Sequence, residues 1–526
     1  MKHFALRTAV PAAALLLAGA APVADPVAVP VTTAPALGPA QSGRLIVFAK
    51  RVEKGAKPEA AIDFSPFNPT DATIAAREVT RLEPGKVALV DAETDAYPAA
   101  LSTLAPGTYR IQAVLDRNHD YTYSGRGAGD LVSPVIEVTL PGKLPTLTLD
   151  SVVPERAGRP NDPLAAEMAG VRPVTFQSTA MTAFRGQPTF INGWIALPPG
   201  YEKGRARYPV VYSDGGFGSS LASAKRSAAM ATQGMAKGEL PPMIWVYLDH
   251  SGPTGTHEFA DSANNGPWGR ALTSELIPAL EKQYRMDGRS RGRFLTGHSS
   301  GGWSTLWLQV RYPKVFGGSW PTSPDPADFH DFTNVDLYAP NANFYAGPDG
   351  VDRPLVRDKG VVVATMRQFA RSEAVLGEYG GQIASFEWVF SPRGANGRPV
   401  PVFDRATGAV DPAVVAYWRD NYDVAHIVAR DWTTLKPDLD GKLHLIVGTA
   451  DTFYLDGPAH RLKAVLDGLG AKAPFRFIEG RTHFDLFRTP SDPSGLAKDI
   501  AWEMYAIARP SAKRPAPRAS AAAEGR

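Results

Sequence analysis

The stretch FLTGHSSGGW, Phe294 to Trp303, places two adjacent serines inside a run of glycines. It follows RGRFLTG, which has the pattern of a strand, and leads into WSTLWLQVRYP, which has the pattern of a helix. Its centre, GHSSG, fits G-x-S-x-G, a sharp strand-to-helix turn in which small residues let the backbone expose a serine hydroxyl. We therefore predict that Ser299 is a reactive nucleophile and that Ser300 contributes its backbone N–H. The alternative is an ordinary tight turn that only small residues can form.

Strand-like and helix-like patterns alternate on both sides of this turn. The strand-like segments before it are VRPVTFQS, TFINGWIAL, YPVVYSDGG and PPMIWVYLD, and those after it are KLHLIVGTAD and PFRFIEG. Helical patterns such as RALTSELIPALEKQYR and GLAKDIAWEMYAIA lie between and after them. This alternation predicts an α/β domain over residues 171–508, with a mostly parallel sheet and helices on both faces. Residues 321–439 interrupt the alternation, and we interpret them as an insertion in the position of a lid.

The N-terminal part of the chain has a different pattern. RLIVFAKRV, KVALVDAE, TYRIQAVLD and SPVIEVTLP are short β-type runs separated by Pro and Gly turns. They predict an all-β, sandwich-like domain over residues 44–150. Residues 21–43, rich in Ala, Pro and Val, have the composition of a linker, and residues 509–526 that of a disordered basic tail.

The first twenty residues have the pattern of a secretory signal peptide. Lys2, His3 and Arg7 form a basic start, a short apolar run follows, and Ala18-Gly19-Ala20 fits the small-x-small cleavage pattern. The alternative, an uncleaved membrane anchor, is disfavoured because the run is short and contains Pro11. We expect export to the periplasm or the extracellular space, and no membrane span in the mature protein.

Composition excludes several classes of function. The chain of 526 residues has no cysteine, which excludes disulfides, thiolate metal sites and a cysteine nucleophile. The net charge is +3, but the tail from Arg509 carries +4 and Lys2 and Arg7 add +2, so the body is slightly acidic. A nucleic-acid surface is therefore not expected, and we expect no cofactor and no metal. Asp116–Asp130 resembles a calcium loop in part, but Tyr121 and Gly127 stand where glycine and glutamate would be needed, so calcium binding stays open.

A serine nucleophile needs a base, and the base needs an acid to orient it. His483 follows the strand PFRFIEG, at the position where the base of such a fold belongs, whereas His444 lies within a strand and His460 on a helix. The acid should follow the preceding strand, and Asp451 ends KLHLIVGTAD. Asp456 is its competitor. We predict a triad of Ser299, His483 and Asp451.

Two further loops are candidates for the site. Glycines in Asp214-Gly215-Gly216-Phe217-Gly218 allow backbone N–H groups to serve as a second oxyanion donor. The loop after YLDH supplies candidate substrate contacts, which are His257, Asn264, Asn265 and Trp268. A structural role in the loop is an equal alternative for these four residues. Aromatic residues of the insertion, Phe386, Trp388, Trp418 and Trp432, suit either a substrate wall or the core.

YPVVYSDGGFG, SELIPALEKQYR, FLTGHSSGGW, GTADTF and GRTHFDLF together resemble the "Putative esterase" family of α/β-hydrolases, over about Val171 to Ala508. This family includes enterochelin esterases, S-formylglutathione hydrolases, feruloyl and acetyl-xylan esterases, and mycolyltransferases. The resemblance implies an acyl-enzyme mechanism on a carboxylic ester, with the Gly216 amide joining that of Ser300 in the oxyanion hole. The long insertion and the N-terminal β domain depart from the family pattern and leave the ester undefined.

We expect an exported serine esterase that acts on a small-molecule or carbohydrate ester, with siderophore-type esters included. The alternatives are a serine peptidase or an acyltransferase on the same fold, and a catalytically silent binding protein. The silent protein is disfavoured because every residue type of the triad is present. The sequence defines neither the oligomeric state nor the role of the β domain.

Overall fold

The computed structural model describes residues 27–91, 94–119, 121–154, 168–377 and 379–514. The predicted signal peptide, residues 1–20, lies outside this range, as do residues 515–526 of the predicted tail. None of the helices within the described residues combines the length and apolar character that a bilayer span requires.

The described residues of the N-terminal region form ten strands. They are β1 (Val29–Thr33), β2 (Gln41–Arg51), β3 (Thr73–Leu82), β4 (Ala88–Val90), β5 (Asp95–Tyr97), β6 (Gly107–Asp116), β7 (Leu131–Val132), β8 (Ile136–Leu140), β9 (Leu147–Leu149) and β10 (Ser151–Val152). One sheet has the order β4-β1-β9, and the other β10-β7-β6-β2-β3-β5 with β8 also paired to β6. Apolar residues of the two sheets, among them Val31, Val47 and Leu147, share one core. The region is a two-sheet β structure, as predicted.

The predicted linker over residues 21–43 is wrong in its second half. Val29–Thr33 forms β1, which pairs with β4 on one side and β9 on the other, and β2 already begins at Gln41. Val29 and Val31 are buried in the core between the sheets. The alternation of buried and half-buried residues along VPVTT is the period of a strand, which the surrounding Ala and Pro residues obscure.

The remaining elements form an α/β domain. Up to the central turn they are β11 (Val171–Gln177), α1 (Thr179–Arg185), β12 (Phe190–Ala196), β13 (Val210–Asp214), α2 (Leu221–Ala236), β14 (Ile244–Leu248), the short strands β15 (Ser251–Gly252), β16 (Gly255–Thr256), β17 (Asp261–Ser262) and β18 (Gly266–Pro267), α3 (Trp268–Ala271), α4 (Ile277–Gln283) and β19 (Arg293–His298). After the turn they are α5 (Ser300–Arg311), β20 (Gly318–Thr322), β21 (Pro354–Asp358), β22 (Val361–Thr365), α6 (Met366–Leu376), α7 (Gln382–Phe390), α8 (Pro412–Tyr422), α9 (Val424–Leu439), β23 (Ile446–Gly448), α10 (Asp456–Gly468), β24 (Arg476–Ile478) and α11 (Gly495–Ala508).

Eight of these strands form one sheet in the order β11-β12-β14-β13-β19-β20-β23-β24. The pairs β11–β12 and β12–β14 are antiparallel and all others are parallel. Neighbouring residues of β13 point to opposite faces, since Val211 packs with α2 and α11 whereas Val210 and Tyr212 pack with α4 and α5. This is the α/β-hydrolase sheet that the sequence predicts, with helices on both faces.

The interval between β20 and β23 contains the predicted insertion and joins the two regions. Val375 and Leu376, at the end of α6, pack into an apolar cluster on the outer face of the β2–β3 sheet. Arg44 is 4% exposed, and its side chain donates from Nε to the Val375 carbonyl (2.8 Å) and from Nη2 to that of Ala374 (3.1 Å). A cation at the last turn of a helix satisfies carbonyls that have no intrahelical donor.

We expect Arg44→Met to lower the free energy of unfolding by about 2 kcal/mol, because buried carbonyls of α6 lose a charged donor. Urea unfolding of the whole chain measures this change. The matched control is Arg81→Met, whose exposed guanidinium pairs with Glu83 at the surface and should change stability by less than about 0.5 kcal/mol. Equal effects of the two substitutions would contradict the role assigned to Arg44.

Candidate active site

Ser299 stands between β19 and α5 in a strained conformation. Its φ of 60° and ψ of −126° lie in a region that non-glycine residues rarely adopt. The Ser299 N–H donates to the Thr322 carbonyl (3.0 Å), and the Ser299 carbonyl accepts from the N–H groups of Trp303 (3.0 Å) and Asp325 (3.3 Å). These bonds to β20 and to the segment after it hold the turn, so the sharp strand-to-helix geometry that G-x-S-x-G predicts is present.

Two glycines make this turn possible because backbone atoms occupy the space of a side chain. A Cβ at Gly301 would lie 2.2 Å from the Gly215 carbonyl oxygen and 2.5 Å from that of Asp214. A Cβ at Gly297 would lie 2.1 Å from the Gly301 carbonyl oxygen. The first turn of α5 therefore packs directly on the loop that follows β13. That contact brings the two predicted sources of oxyanion donors together.

His483 and Asp451 meet at the carboxyl end of the sheet. The His483 Nδ1 lies 3.0 Å from Asp451 Oδ2, and the two side chains are 4% and 0% exposed. Asp451 Oδ1 accepts from the Phe453 N–H (2.9 Å). Burial acts to raise the pKa of the Asp451 carboxyl, but the His483 hydrogen bond and charge and the Phe453 N–H outweigh it and hold that pKa below its usual range. Asp451 is therefore ionised beside the imidazole.

The competing carboxylates have other partners. Asp456 Oδ1 accepts from Arg357 Nη2 (2.8 Å), and Arg357 Nε also donates to the Asp451 carbonyl (2.8 Å). Asp485 accepts from the Thr482 N–H and from Arg481 within its own loop. The structure thus joins His483 to Asp451 and ties Asp456 to the hairpin β21–β22 of the insertion.

The glycine loop after β13 lies against the serine. A Cβ at Gly216 would lie 3.3 Å from Ser299 Cβ. The Gly216 carbonyl accepts from the Ser219 N–H (3.0 Å) and lies 3.2 Å from His250 Nε2. The other ring nitrogen of His250 lies 3.0 Å from Asp214 Oδ1. Burial acts to lower the pKa of His250, but the Asp214 carboxylate and the Gly216 carbonyl more than offset it and raise that pKa.

His298 packs directly on the ring of His483, with centroids 4.4 Å apart. Burial, together with the charge of His483, lowers the pKa of His298 to about 3. The Thr322 hydroxyl donates to the Gly297 carbonyl (2.8 Å) and lies 3.1 Å from His298 Nδ1. Thr322 Oγ therefore accepts from His298 Nδ1–H. A neutral ring beside His483 adds no charge that would oppose protonation of His483.

Two buried carboxyl groups behind the turn were not predicted as part of the site. Asp325 Oδ2 accepts the Ser300 hydroxyl (2.6 Å), and burial raises the pKa of Asp325 to about 6 despite that bond. Glu258 is fully buried, and neither of its carboxyl oxygens has a hydrogen-bond partner among the described residues. Burial, with the charges of Asp325 and Asp214, raises the pKa of Glu258 well above its usual range. Burial therefore shifts Glu258 towards its neutral form.

The four predicted substrate contacts lie in the loop after β14, where the His257 ring is 6.2 Å from the ring of His250. The His257 ring stacks on Trp268 (centroids 3.8 Å apart), and both line a cavity of about 250 Å³ together with Asn265. Asn264 is buried, and its Nδ2 donates to the Ser391 carbonyl of the insertion (2.8 Å). Within the described residues, no hydrogen bond or ring contact joins these four side chains to Ser299, His483 or Asp451. The Asn264 bond ties its loop to the insertion.

Other predicted features are placed as follows. Phe386, Trp418 and Trp432 of the insertion are buried in the core, whereas Trp388 lines a cleft beside the β region. In the loop considered for calcium, Asp116 Oδ1 accepts the N–H groups of Asn118 and His119, and Asp120 lies outside the described residues. Within the described residues, no group of three or more His, Asp or Glu side chains is arranged to hold a metal.

Comparisons with known proteins show what this domain is similar to. Residues 188–328, which include Gly216, Ser299 and Ser300, match the family model described as "Putative esterase". The class of enzyme that this match supports is a carboxylic ester hydrolase, in agreement with the resemblance found in the sequence.

Solved structures similar to this chain come from several sources. A fluorophosphonate-binding serine hydrolase from Staphylococcus aureus is 12% identical, with 64% of this chain and 98% of that chain covered and a TM-score of 0.36. An S-formylglutathione hydrolase from Agrobacterium tumefaciens is 14% identical (65% and 98%, TM-score 0.36), and a ferulic acid esterase from Anaeromyces mucronatus is 14% identical (65% and 94%, TM-score 0.34). The comparison with curated proteins gave no match.

Sequence reasoning did not identify Asp325, His250, His298 or Arg357 as neighbours of the site. His250 and His298 both stand at the carboxyl ends of strands, which is a usable signal because such ends meet at one edge of a parallel sheet. Arg357 and Asp325 lie in the segment interpreted as an insertion. For these two residues no local pattern indicates which element they reach.

We expect Asp325→Asn to stabilise the protein relative to wild type by about 2 kcal/mol at pH 7.5 and by much less at pH 4.5. The folded state holds the Asp325 proton more tightly than the unfolded chain, so wild type loses stability as pH rises from about 4 to about 7. Urea unfolding at several pH values measures the difference. Exposed Asp358→Asn is the control and should give no such trend, and a difference that is constant with pH would contradict the assignment.

Proposed function

We propose that this protein is an exported serine esterase that cleaves a carboxylic ester through an acyl-enzyme on Ser299. The observation that carries the proposal is the buried Asp451–His483 hydrogen bond at the carboxyl end of the sheet that also presents the strained Ser299 turn. A serine, a histidine and an ionised aspartate are the groups that nucleophilic acyl transfer requires. The family match over residues 188–328 supports the same chemistry.

The proposed reaction begins with proton transfer from Ser299 to His483. Because Asp451 occupies His483 Nδ1, Nε2 is the nitrogen left to take the proton as Ser299 Oγ attacks the ester carbonyl. Asp451 stabilises the imidazolium that forms. When the tetrahedral intermediate collapses, His483 gives the proton to the departing alcohol. Water then attacks the acyl-enzyme with His483 as base, and the carboxylic acid is released.

The oxyanion in this scheme is held by backbone N–H groups. Ser300 is the first residue of α5, so its N–H has no intrahelical acceptor and lies at the positive end of the helix dipole. Gly216, packed against Ser299, supplies the second N–H. The His250–Asp214 pair holds the Gly216 carbonyl and so fixes the loop that carries this donor. Donors held in place before the reaction stabilise the developing charge without reorganisation.

We also propose that the enzyme acts outside the cytoplasm, on a small-molecule or carbohydrate ester. Support for export comes from the basic, apolar and small-residue pattern of residues 1–20. The lack of cysteine is compatible with an oxidising compartment, because no thiol is present to be oxidised.

We expect Ser299→Ala to abolish both labelling by a fluorophosphonate and hydrolysis of p-nitrophenyl acetate, with kcat falling at least about 10³-fold. Ser300→Ala is the matched control, since Ser300 acts through its backbone N–H and the neighbouring nucleophile is kept. Activity that survives in Ser299→Ala would show that another residue is the nucleophile. A folded wild type that neither hydrolyses the ester nor takes the label would favour the silent binding protein.

We expect Asp451→Asn to lower kcat by roughly 10⁴-fold, because an amide can neither hold the required tautomer of His483 nor stabilise its charge. Asp456→Asn removes a carboxylate five residues away that pairs with Arg357, and it should retain most of the activity. Steady-state kinetics of both variants on one p-nitrophenyl ester makes the comparison. The reverse order of effects would identify Asp456 as the acid.

A further inference from the structure

Five aromatic rings form a continuous row beside the catalytic residues, and we name this row the aromatic arch. Its members in spatial order are Phe217, Tyr123, Phe67, Phe453 and Phe484. Ring centroids are 5.8 Å apart for Phe217 and Tyr123, 5.5 Å for Tyr123 and Phe67, and 6.1 Å for Phe67 and Phe453. Phe484 lies 6.4 Å from Phe67 and 5.9 Å from Phe453. These spacings are those of interacting aromatic pairs.

The two ends of the aromatic arch lie at the two sides of the candidate site. Phe217 follows Gly216, whose backbone packs against Ser299. At the other end, the rings of Phe453 and Phe484 lie 4.8 Å and 5.4 Å from the ring of His483. The arch therefore runs from the oxyanion loop to the base.

The middle of the aromatic arch comes from the N-terminal β region. Phe67 lies in the loop between β2 and β3, and Tyr123 in the loop between β6 and β7. The Tyr123 hydroxyl donates to Gln382 Oε1 of the insertion (2.7 Å), and Tyr121 packs on Tyr123 from the side (centroids 5.8 Å apart). The loop considered for calcium thus carries a ring to the esterase site.

Every residue of the aromatic arch keeps part of its surface exposed to solvent. Phe67, Tyr123, Phe217 and Phe453 are partly exposed, and Phe484 is 70% exposed. Phe369, which also contacts Tyr123, is instead 2% exposed and belongs to the core. A row of partly exposed rings next to a nucleophile can bury further apolar area when an apolar or planar group of a ligand covers it.

We infer that Phe67 and Tyr123 are specificity-determining residues of the esterase, and that they bind a planar ring on the acyl or the alcohol side of the ester. The inference rests on the proposed function, because it names the group that the site of Ser299 accepts. Two segments of the β region thereby form one wall of the substrate site. Stacking and burial of a ring against such residues favour ring-bearing esters over small aliphatic ones.

The test compares three esters in a pH-stat assay: ethyl acetate, which has no ring, ethyl benzoate, with an acyl ring, and phenyl acetate, with an alcohol ring. For Phe67→Ala and Tyr123→Ala we expect KM for at least one ring-bearing ester to rise roughly ten-fold, with kinetics on ethyl acetate unchanged. The ester whose KM rises most shows whether the acyl side or the alcohol side of the substrate contacts the aromatic arch. Tyr123→Phe keeps the ring, removes only the bond to Gln382, and should retain the ring preference.

Two controls separate specificity from structure and from the chemistry itself. Leu82→Ala loosens the core of the β region away from the arch and should not change the ratio of ring to aliphatic activity. The second control needs no turnover. It measures how strongly phenylboronic acid and methylboronic acid each slow labelling by a fluorophosphonate, and it compares the ratio of the two effects between variants. Equal losses on all three esters, or an unchanged boronic acid ratio in Phe67→Ala and Tyr123→Ala, would overturn the inference. A folded wild type that the fluorophosphonate does not label would instead contradict the proposed function.

Discussion

The left-handed backbone at Ser299 is the constraint on which the rest of the site depends. A non-glycine residue at φ 60° is costly unless its surroundings hold it, and here the holding bonds come from β20 and from the residues just after it. The same turn brings Gly301 against the carbonyls of Asp214 and Gly215. The strand order of the sheet, which sets β13 and β20 on either side of β19, is what makes this packing available.

The surroundings of each carboxyl group near Ser299 determine how readily it ionises. Asp451 stays ionised because His483 and a backbone N–H bind it, whereas burial raises the pKa of both Asp325 and Glu258, so that each holds its proton to a higher pH than Asp451 does. Asp214 faces His250 instead of the triad. Several acidic groups can therefore share a small volume, because those nearest the serine do not all carry charge at once.

Local patterns predicted the parts of the fold that local physics determines. The period of the strands, the glycines of the Ser299 turn and the strand-end positions of Asp451 and His483 all follow from short segments. The structure places His483 beside Asp451, at the end of the sheet that carries the Ser299 turn. Contacts between distant segments were not predictable in this way. Arg44 contacts α6, Arg357 contacts Asp451, and Phe67 contacts Phe453, and in each case the partners are tens to hundreds of positions apart. The periodicity of one segment does not indicate which distant segment it will contact. The strand Val29–Thr33 was missed because its neighbours have the composition of a linker.

The Arg44 contact with the end of α6 makes the β region and the α/β domain depend on each other. The β region and the α/β domain share a buried cation, an apolar cluster around Val375 and Leu376, and the ring contact of Phe67 with Phe453. Neither part could be exchanged for an unrelated domain without exposing that cluster and leaving helix carbonyls bare. A variant of this chain that keeps the interface buried must therefore retain both parts.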